Sequence, residues 1–311
     1  MTNIIKNFAE KNNIIVGVCH AAPLELPQPT TPVPFVSADF EKRTNPERTL
    51  RGAKSIIVVG IASASLIFDN DYHVRVKNLL RELFRELCAA RGDDDLPAPH
   101  NQNRENALLG ATKKRGDFNH KILVDSPGLD ERSLARRAGL GFFGRNGLII
   151  SKKFGSRFNI GCLLCDAEIP EFAEKHEDFP DACPRDCDLC IAACPTNALA
   201  DGKFNIARCL SYLTQKDALS PDEEKLITLG GQIYGCEICQ NACIFNSTRA
   251  REKTDLRSTV LRESKQSLSR EITPQDWLLM SDEDFKNTYG HTAILWRGVE
   301  ILRRNARILS L

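Results

Sequence analysis

The sequence predicts an α+β protein whose later half carries a small module organised by cysteine. Two apolar runs, Lys54 to Ser63 and Lys121 to Ser126, read as strands. Between them Val76, Leu79, Leu80, Leu83, Phe84 and Leu87 recur at helical spacing. Eight of the twelve cysteines then fall between Cys183 and Cys243.

Taken in order, KSIIVVGIAS is β-branched on both faces, the pattern of a buried central strand. Arg81, Glu82, Arg85 and Glu86 interleave with the apolar positions that follow, so this helix packs one face on the sheet. Cys88 continues that face and Cys19 lies in an apolar context, and both read as packing residues. Arg91 to Asn106 is polar and Pro-containing, the composition of a surface loop. KILVDS then places Asp125 at a strand's C-terminal end. Gly139, Gly141, Gly144, Gly147 and Gly155 punctuate the next segment, predicting backbone that turns tightly or approaches something large. Cys162 and Cys165 form a CxxC in a strand-like run. A redox dithiol of that spacing normally opens a helix, and the dithiol and packing readings both stay open.

An acidic linker after Pro170 and a charged tail after Cys243 set boundaries near 172 and 248. The expected domains are therefore 1–171, 172–248 and 249–311. The last stretch, WRGVEILRRNARILSL, alternates apolar and basic residues as a docking helix with a solvated face would.

Forty-two Lys plus Arg against 41 Asp plus Glu give a net charge of +1, so attraction to a polyanion can come only from local clustering. Arg132 to Arg157 holds seven basic residues and no acidic one. That segment is either a solvated face or a phosphate site. The N-terminus lacks the order of a secretory signal, and the apolar stretch Ser55 to Phe68 is too short to span a bilayer. The expectation is a cytoplasmic protein with no membrane partner. The cytosol keeps thiols reduced, so clustered cysteines there point to metal ligation or redox chemistry.

The cysteines fall into two sets, Cys183-x3-Cys187-x2-Cys190-x3-Cys194 and Cys209 followed by Cys236-x2-Cys239-x3-Cys243. In two-cluster ferredoxin modules the last Cys of each run ligates the other cluster. The spacing therefore assigns Cys183, Cys187, Cys190 and Cys243 to one 4Fe-4S cluster and Cys194, Cys209, Cys236 and Cys239 to a second. Structural zinc is the alternative, although it usually takes two separated knuckles around one ion.

Five segments together resemble the cobalamin-dependent, iron-sulfur tRNA epoxyqueuosine reductases. They are NPERTLRGAKSIIVVG, NDYHVRVKNLL, VDSPGLDERSLARRAGLGFFGRNGLII, CDLCIAACPTNAL, and CLSYLTQ with IYGCEICQNAC. The resemblance implies a nitroreductase-like cobalamin-binding domain followed by a two-cluster ferredoxin-like domain. It implies reduction of epoxyqueuosine to queuosine in the anticodon region of tRNA, with electrons from an external low-potential donor. By the same resemblance Asp125 is the proton donor, where the residues alone also allow a turn cap. Arg43, His73, Ile149, Ile160 and Ser211 would join Asp125 at cobalamin, and Glu131, Arg132 and Gln215 would lie at the tRNA. Lys152 and Lys153, from the basic stretch, are expected at phosphates. Without the resemblance, His73 reads equally as a core histidine and Arg43 as half of a surface ion pair. Phe142, Arg145, Gly147, Arg157 and the pair Ile244-Phe245 depart from the family pattern. These departures keep open a paralogous corrinoid iron-sulfur reductase, dehalogenase-like, acting on a small molecule.

Overall fold

A computed structural model describes residues 1–26, 35–63, 71–90, 119–173, 179–200, 203–246 and 272–310. The loop expected over Arg91 to Asn106, the boundary near 248 and the charged stretch after it lie outside the described residues. The chain forms two compact units, each assembled from separated stretches. The first comprises Met1–Ile61, Val76–Leu140 and Ile160–Lys175. The second comprises Ala62–Arg75, Gly141–Asn159 and His176–Leu311.

The first unit is built on a four-stranded sheet of β1 (Ile15–His20), β2 (Ser55–Ala62), β3 (His120–Leu123) and β6 (Phe158–Cys165), in the order β1-β2-β6-β3. β1 and β2 run antiparallel from Ile15 opposite Gly60 to His20 opposite Ser55. β3 and β6 run antiparallel from His120 opposite Cys165 to Leu123 opposite Cys162. As its composition predicts, β2 is interior, with Ile56 through Val59 fully buried. α3 (Tyr72–Ala89) buries Val76, Leu80, Leu83, Phe84, Leu87 and Cys88, the face expected from periodicity. α1 (Thr2–Lys11) buries Ile5, Phe8 and Ala9 at helical spacing. α2 (Phe40–Thr44) and α4 (Glu131–Arg137) are short and capped by Asp39 and Asp130, whose carboxylates accept from the N–H groups of Lys42 and Ser133. α4 packs so closely on β1 that a Cβ at Gly17 would lie 1.9 Å from the carbonyl oxygen of Ala138. Only glycine fits there.

The second unit contains two small hairpins, β4 (Phe142–Phe143) with β5 (Ile149–Ile150) and β7 (Leu199–Ala200) with β8 (Lys203–Phe204). Single-turn helices α5 (Leu189–Ala192), α6 (Leu210–Leu213) and α8 (Ile238–Asn241) carry or adjoin the clustered cysteines, and α7 (Pro221–Gly230) opens on a Ser220/Glu223 capping box. Its C-terminal part comprises α9 (Pro274–Leu279), α10 (Asp282–Tyr289) and α11 (Val299–Leu309). Tyr234, Trp277, Phe285, Tyr289, Ile294 and Leu302 form its core. α11 is the docking helix that alternating apolar and basic residues predict, with Val299, Leu302, Ala306 and Ile308 buried. No helix among the described residues is long and apolar enough to cross a membrane.

Two four-cysteine groups and the Asp125 turn

Within the second unit the eight clustered cysteines separate into two groups, and each takes one member from the other run. Cys183, Cys187, Cys190 and Cys243 line one shallow pocket together with Arg145, Asn146 and Phe245. Burial pushes the Cys190 thiol up, and the nearby Cys183, Cys243 and Cys187 push it further. In the second group, burial and then Cys236, Cys209, Cys190 and Cys194 push the Cys239 thiol up to about 12. Burial also raises Cys209 and Cys236, with Cys194 adding to each. For Cys194 itself burial works upward, but the Thr196 hydroxyl and the N–H groups of Ala198, Thr196 and Leu199 hold it below the ordinary thiol value.

Among the described residues, no three His, Cys, Asp or Glu side chains gather tightly enough to hold a single metal ion. Eight thiols in two sets of four match the ligand count of two 4Fe-4S clusters. The first pocket also contains an orphan donor. Asn146 is buried, its Oδ1 accepts from the Leu148 N–H, and among the described residues its Nδ2 has no hydrogen-bond partner. Cluster sulfur accepts such bonds.

Buried polar contacts hold the cysteine arms. Asn246 Nδ2 donates to Ser156 Oγ at 2.8 Å and to the Gln240 carbonyl at 2.8 Å, while Ser156 Oγ donates to Gln240 Oε1 at 3.1 Å. Arg157 pairs with Glu237 at 3.0 Å and also donates to Asn241. The contact is so close at Gly155, whose φ is +57°, that a Cβ would fall 2.1 Å from Asn246 Oδ1 and 2.6 Å from the Phe245 carbonyl. The Phe142, Phe179 and Phe245 rings pack together with centroids 5.4 to 5.7 Å apart. For the second group, Asn305 of α11 is fully buried and donates to the carbonyls of Thr214 and Ile233 at 2.8 and 2.7 Å. Thr214 Oγ1 in turn accepts from the Gly235 N–H at 2.9 Å. The segments bearing Cys209 and Cys236 are thereby clipped to each other and to the C-terminal helix.

In the first unit, Asp125 follows β3 with φ of +49°, a left-handed conformation that costs a non-glycine residue roughly 1 kcal/mol or more. Its side chain is exposed. Glu131, the first residue of α4, reaches back so that Oε2 accepts from the Asp125 N–H at 3.0 Å and Oε1 from the Ser126 N–H at 2.9 Å. Ser126 Oγ accepts from the Gly128 N–H at 3.1 Å, and the Asp130 N–H donates to the Arg43 carbonyl at 3.0 Å. Burial is the main cause that raises Glu131 to about 7. The Ser126 N–H opposes it, the Asp125 charge adds to it, the Asp125 N–H opposes it and the Asp130 charge adds again.

Residues 182–246 match the family model described as a 4Fe-4S double cluster binding domain. Over 278 residues the chain is 35% identical to the epoxyqueuosine reductase of Staphylococcus aureus, covering 89% of this chain and 68% of that protein. The chain belongs to the epoxyqueuosine reductase family. The Bacillus subtilis epoxyqueuosine reductase is 31% identical over 281 residues, covering 89% of this chain and 67% of that one. The structure of epoxyqueuosine reductase from Streptococcus thermophilus superposes with a TM-score of 0.71 at 26% identity, over 99% of this chain and 80% of that one. An epoxyqueuosine reductase crystallised with a tRNA-Tyr epoxyqueuosine-modified stem loop shares the fold at TM-score 0.75 and 23% identity, with the same coverage.

The other residues that the family resemblance singles out are distributed over both units. Arg43 lies in the last turn of α2, Arg132 is exposed on α4, and Ile160 is half-buried on β6. In the second unit His73 places Nδ1 2.7 Å from Asp71 Oδ1 and stacks on Tyr72. Ile149 is buried on β5, and Lys152 and Lys153 lie in the turn closed by the Ser151–Gly155 bridge. The Ser211 carbonyl accepts from Gln215 Nε2 at 2.6 Å, and Gln215 Oε1 accepts from the Tyr234 hydroxyl.

Two open readings narrow. Of the seven basic residues from Arg132 to Arg157, three are bonded within the fold: Arg137 donates to the carbonyls of Ala22 and Pro23, Arg145 to that of Arg185, and Arg157 is paired with Glu237. Cys162 and Cys165 are fully buried three positions apart on β6, so strand alternation points them to opposite faces. Three residues of strand also span about 10 Å, beyond the Cα separation a disulfide bridges, so the dithiol reading falls. Cys19 and Cys88 are core residues, as expected. Sequence reasoning missed Gln240, Asn246, Thr214 and Asn305, because isolated polar residues show no periodicity.

Proposed function

We propose that this chain reduces epoxyqueuosine in tRNA to queuosine in the cytoplasm, using two 4Fe-4S clusters and cobalamin fed by an external low-potential electron donor. The observation that carries the reading is the sorting of eight cysteines into two crossed groups in a chain of this family. Bound in that way, the clusters pass single electrons and cobalamin supplies a low-potential cobalt centre.

The chain's own residues then have three tasks. Cys183, Cys187, Cys190 and Cys243 hold one cluster, and Cys194, Cys209, Cys236 and Cys239 the other. By the family resemblance, Arg43 and Ile160 in the first unit and His73, Ile149 and Ser211 in the second are the candidate cobalamin residues, and the resemblance makes the cobalamin-binding part nitroreductase-like. The chemistry of these residues suits cobalamin, with apolar side chains for the macrocycle and guanidinium, imidazole and hydroxyl groups for its amide- and phosphate-bearing periphery. Asp125 delivers a proton to the epoxide oxygen. Opening the epoxide to an alkene consumes two electrons and two protons and releases one water. A positioned acid is needed because an unprotonated oxygen is a poor leaving group. Arg132, Gln215, Lys152 and Lys153 would meet the tRNA around the anticodon.

The test is anaerobic reconstitution with iron, sulfide and cobalamin, followed by turnover on an epoxyqueuosine-bearing stem loop. Asp125→Asn should keep all cofactors and lose roughly 10²- to 10⁴-fold in turnover. Stoichiometric zinc without acid-labile sulfide would refute the cofactor assignment. A loaded enzyme that neither binds nor turns over the stem loop would leave the small-molecule corrinoid reductase as the reading.

A further inference from the structure

We propose that Glu131 is the positioning residue for proton delivery: its carboxylate clamps the Asp125 and Ser126 N–H groups and thereby fixes where Asp125 presents its acid. The inference rests on the proposed role of Asp125 and gives Glu131 a different task from the tRNA contact that resemblance implies.

The geometry is specific. Two consecutive N–H groups converge on the two oxygens of one carboxylate, at 3.0 and 2.9 Å. Consecutive N–H groups converge in this way only when the backbone turns, and the turn here is the left-handed conformation at Asp125. The carboxylate thus satisfies both amides of a left-handed turn, a conformation that aspartates visit only occasionally. The carboxylate is itself anchored, because Glu131 opens α4 next to the Asp130 cap, and the Asp130 N–H is held by the Arg43 carbonyl. A side chain whose two oxygens are both occupied by backbone, and which is largely buried, is badly placed to read a substrate but well placed to set the direction of its neighbour.

The clamp also has a protonation state. As a carboxylate, Glu131 accepts both bonds; once protonated, one oxygen becomes a donor and one N–H loses its acceptor. Burial raises this group to about 7, and the acidic neighbours facing it are Asp125 and Asp130, with the buried Cys162 thiol also close. Since the ionised form makes the clamp, the turn should tighten as pH rises through about 7 and loosen below it.

Hydrogen exchange read by mass spectrometry on the reconstituted enzyme tests this without relying on turnover. In Glu131→Gln the amide can accept from only one N–H while its own NH₂ faces the other, so exchange at Asp125 and Ser126 should quicken roughly ten- to a hundredfold. The sheet strands should keep their protection. In the unaltered enzyme, protection of these two amides, corrected for intrinsic exchange, should rise between pH 6 and pH 8, and Glu131→Gln should abolish that rise. kcat should fall at least about tenfold with KM little changed, as expected for an acid moved off target by a small distance.

Unchanged protection in Glu131→Gln, together with a flat pH profile in the unaltered enzyme, would overturn the clamp. Lost protection with unaltered kcat would overturn its part in positioning. If Asp125→Asn instead turned over normally while the clamp behaved as stated, the error would lie in the proposed role of Asp125.

Discussion

Replacing Asn305 by alanine should destabilise the second unit and strip iron from one cysteine group while sparing the other. Asn305 is fully buried, and its Nδ2 satisfies the carbonyls of Thr214 and Ile233, while its Oδ1 accepts from Arg304 Nε and Nη2 at 3.1 and 2.9 Å. Alanine removes this donor from the buried Thr214 carbonyl, at about 1 to 3 kcal/mol, and from the partly buried Ile233 carbonyl, at less. A total near 3 kcal/mol is a large share of the roughly 5 to 15 kcal/mol that holds a domain together, and corresponds to on the order of a hundredfold in population. Both tryptophans, Trp277 and Trp296, lie in the second unit, so their fluorescence in a guanidinium titration reports this unit directly. Thr214 and Ile233 flank the segments of Cys209 and Cys236, so iron after anaerobic reconstitution should fall from about eight atoms towards about four. A midpoint shift worth less than about 1 kcal/mol, with full iron content, would refute the idea that this side chain clips the two arms.

Two further perturbations bear on the sites. Cys243→Ser should disturb the cluster held with Cys183, Cys187 and Cys190, and Cys194→Ser the one held with Cys209, Cys236 and Cys239. Paramagnetic resonance of each singly substituted protein reads which signal is lost, and loss of the cluster nearest in sequence would contradict the crossing. Neutralising Lys152 and Lys153 together should lower the slope of log affinity for a tRNA stem loop against log salt by up to about two, with iron and cobalamin content unchanged. An unaltered slope would remove both lysines from the phosphate contacts.

What could be read from the chain depended on whether a signal was periodic. β2 and α3 announce themselves because every position, or every third and fourth, is apolar. The cysteine groups are legible because ligand spacing is itself a pattern, even across the gap from Cys190 to Cys243. β1 was not anticipated, since IVGVCH is short and contains a glycine whose purpose, closeness to Ala138, appears only in three dimensions. Charge misled where counting replaced geometry: Arg137, Arg145 and Arg157 add to a basic tally yet bond to carbonyls and a carboxylate within the fold. The Glu131 clamp spans six residues with no repeat, so nothing in the sequence separates it from an exposed glutamate at a helix start.

The support for the cysteine arms has a direction along the chain, and this bears on biogenesis. Ser156 and Arg157, which brace Gln240, Asn246 and Glu237, are synthesised before the residues they hold. The Cys183–Cys243 group can therefore reach its final frame as soon as the stretch through Asn246 has left the ribosome. The group containing Cys209 and Cys236 must wait for Asn305, which arrives only with α11. Iron delivered to a nascent chain would then find one mature nest and one open one, and ribosome-stalled chains ending before and after α11 should differ in how much metal they retain.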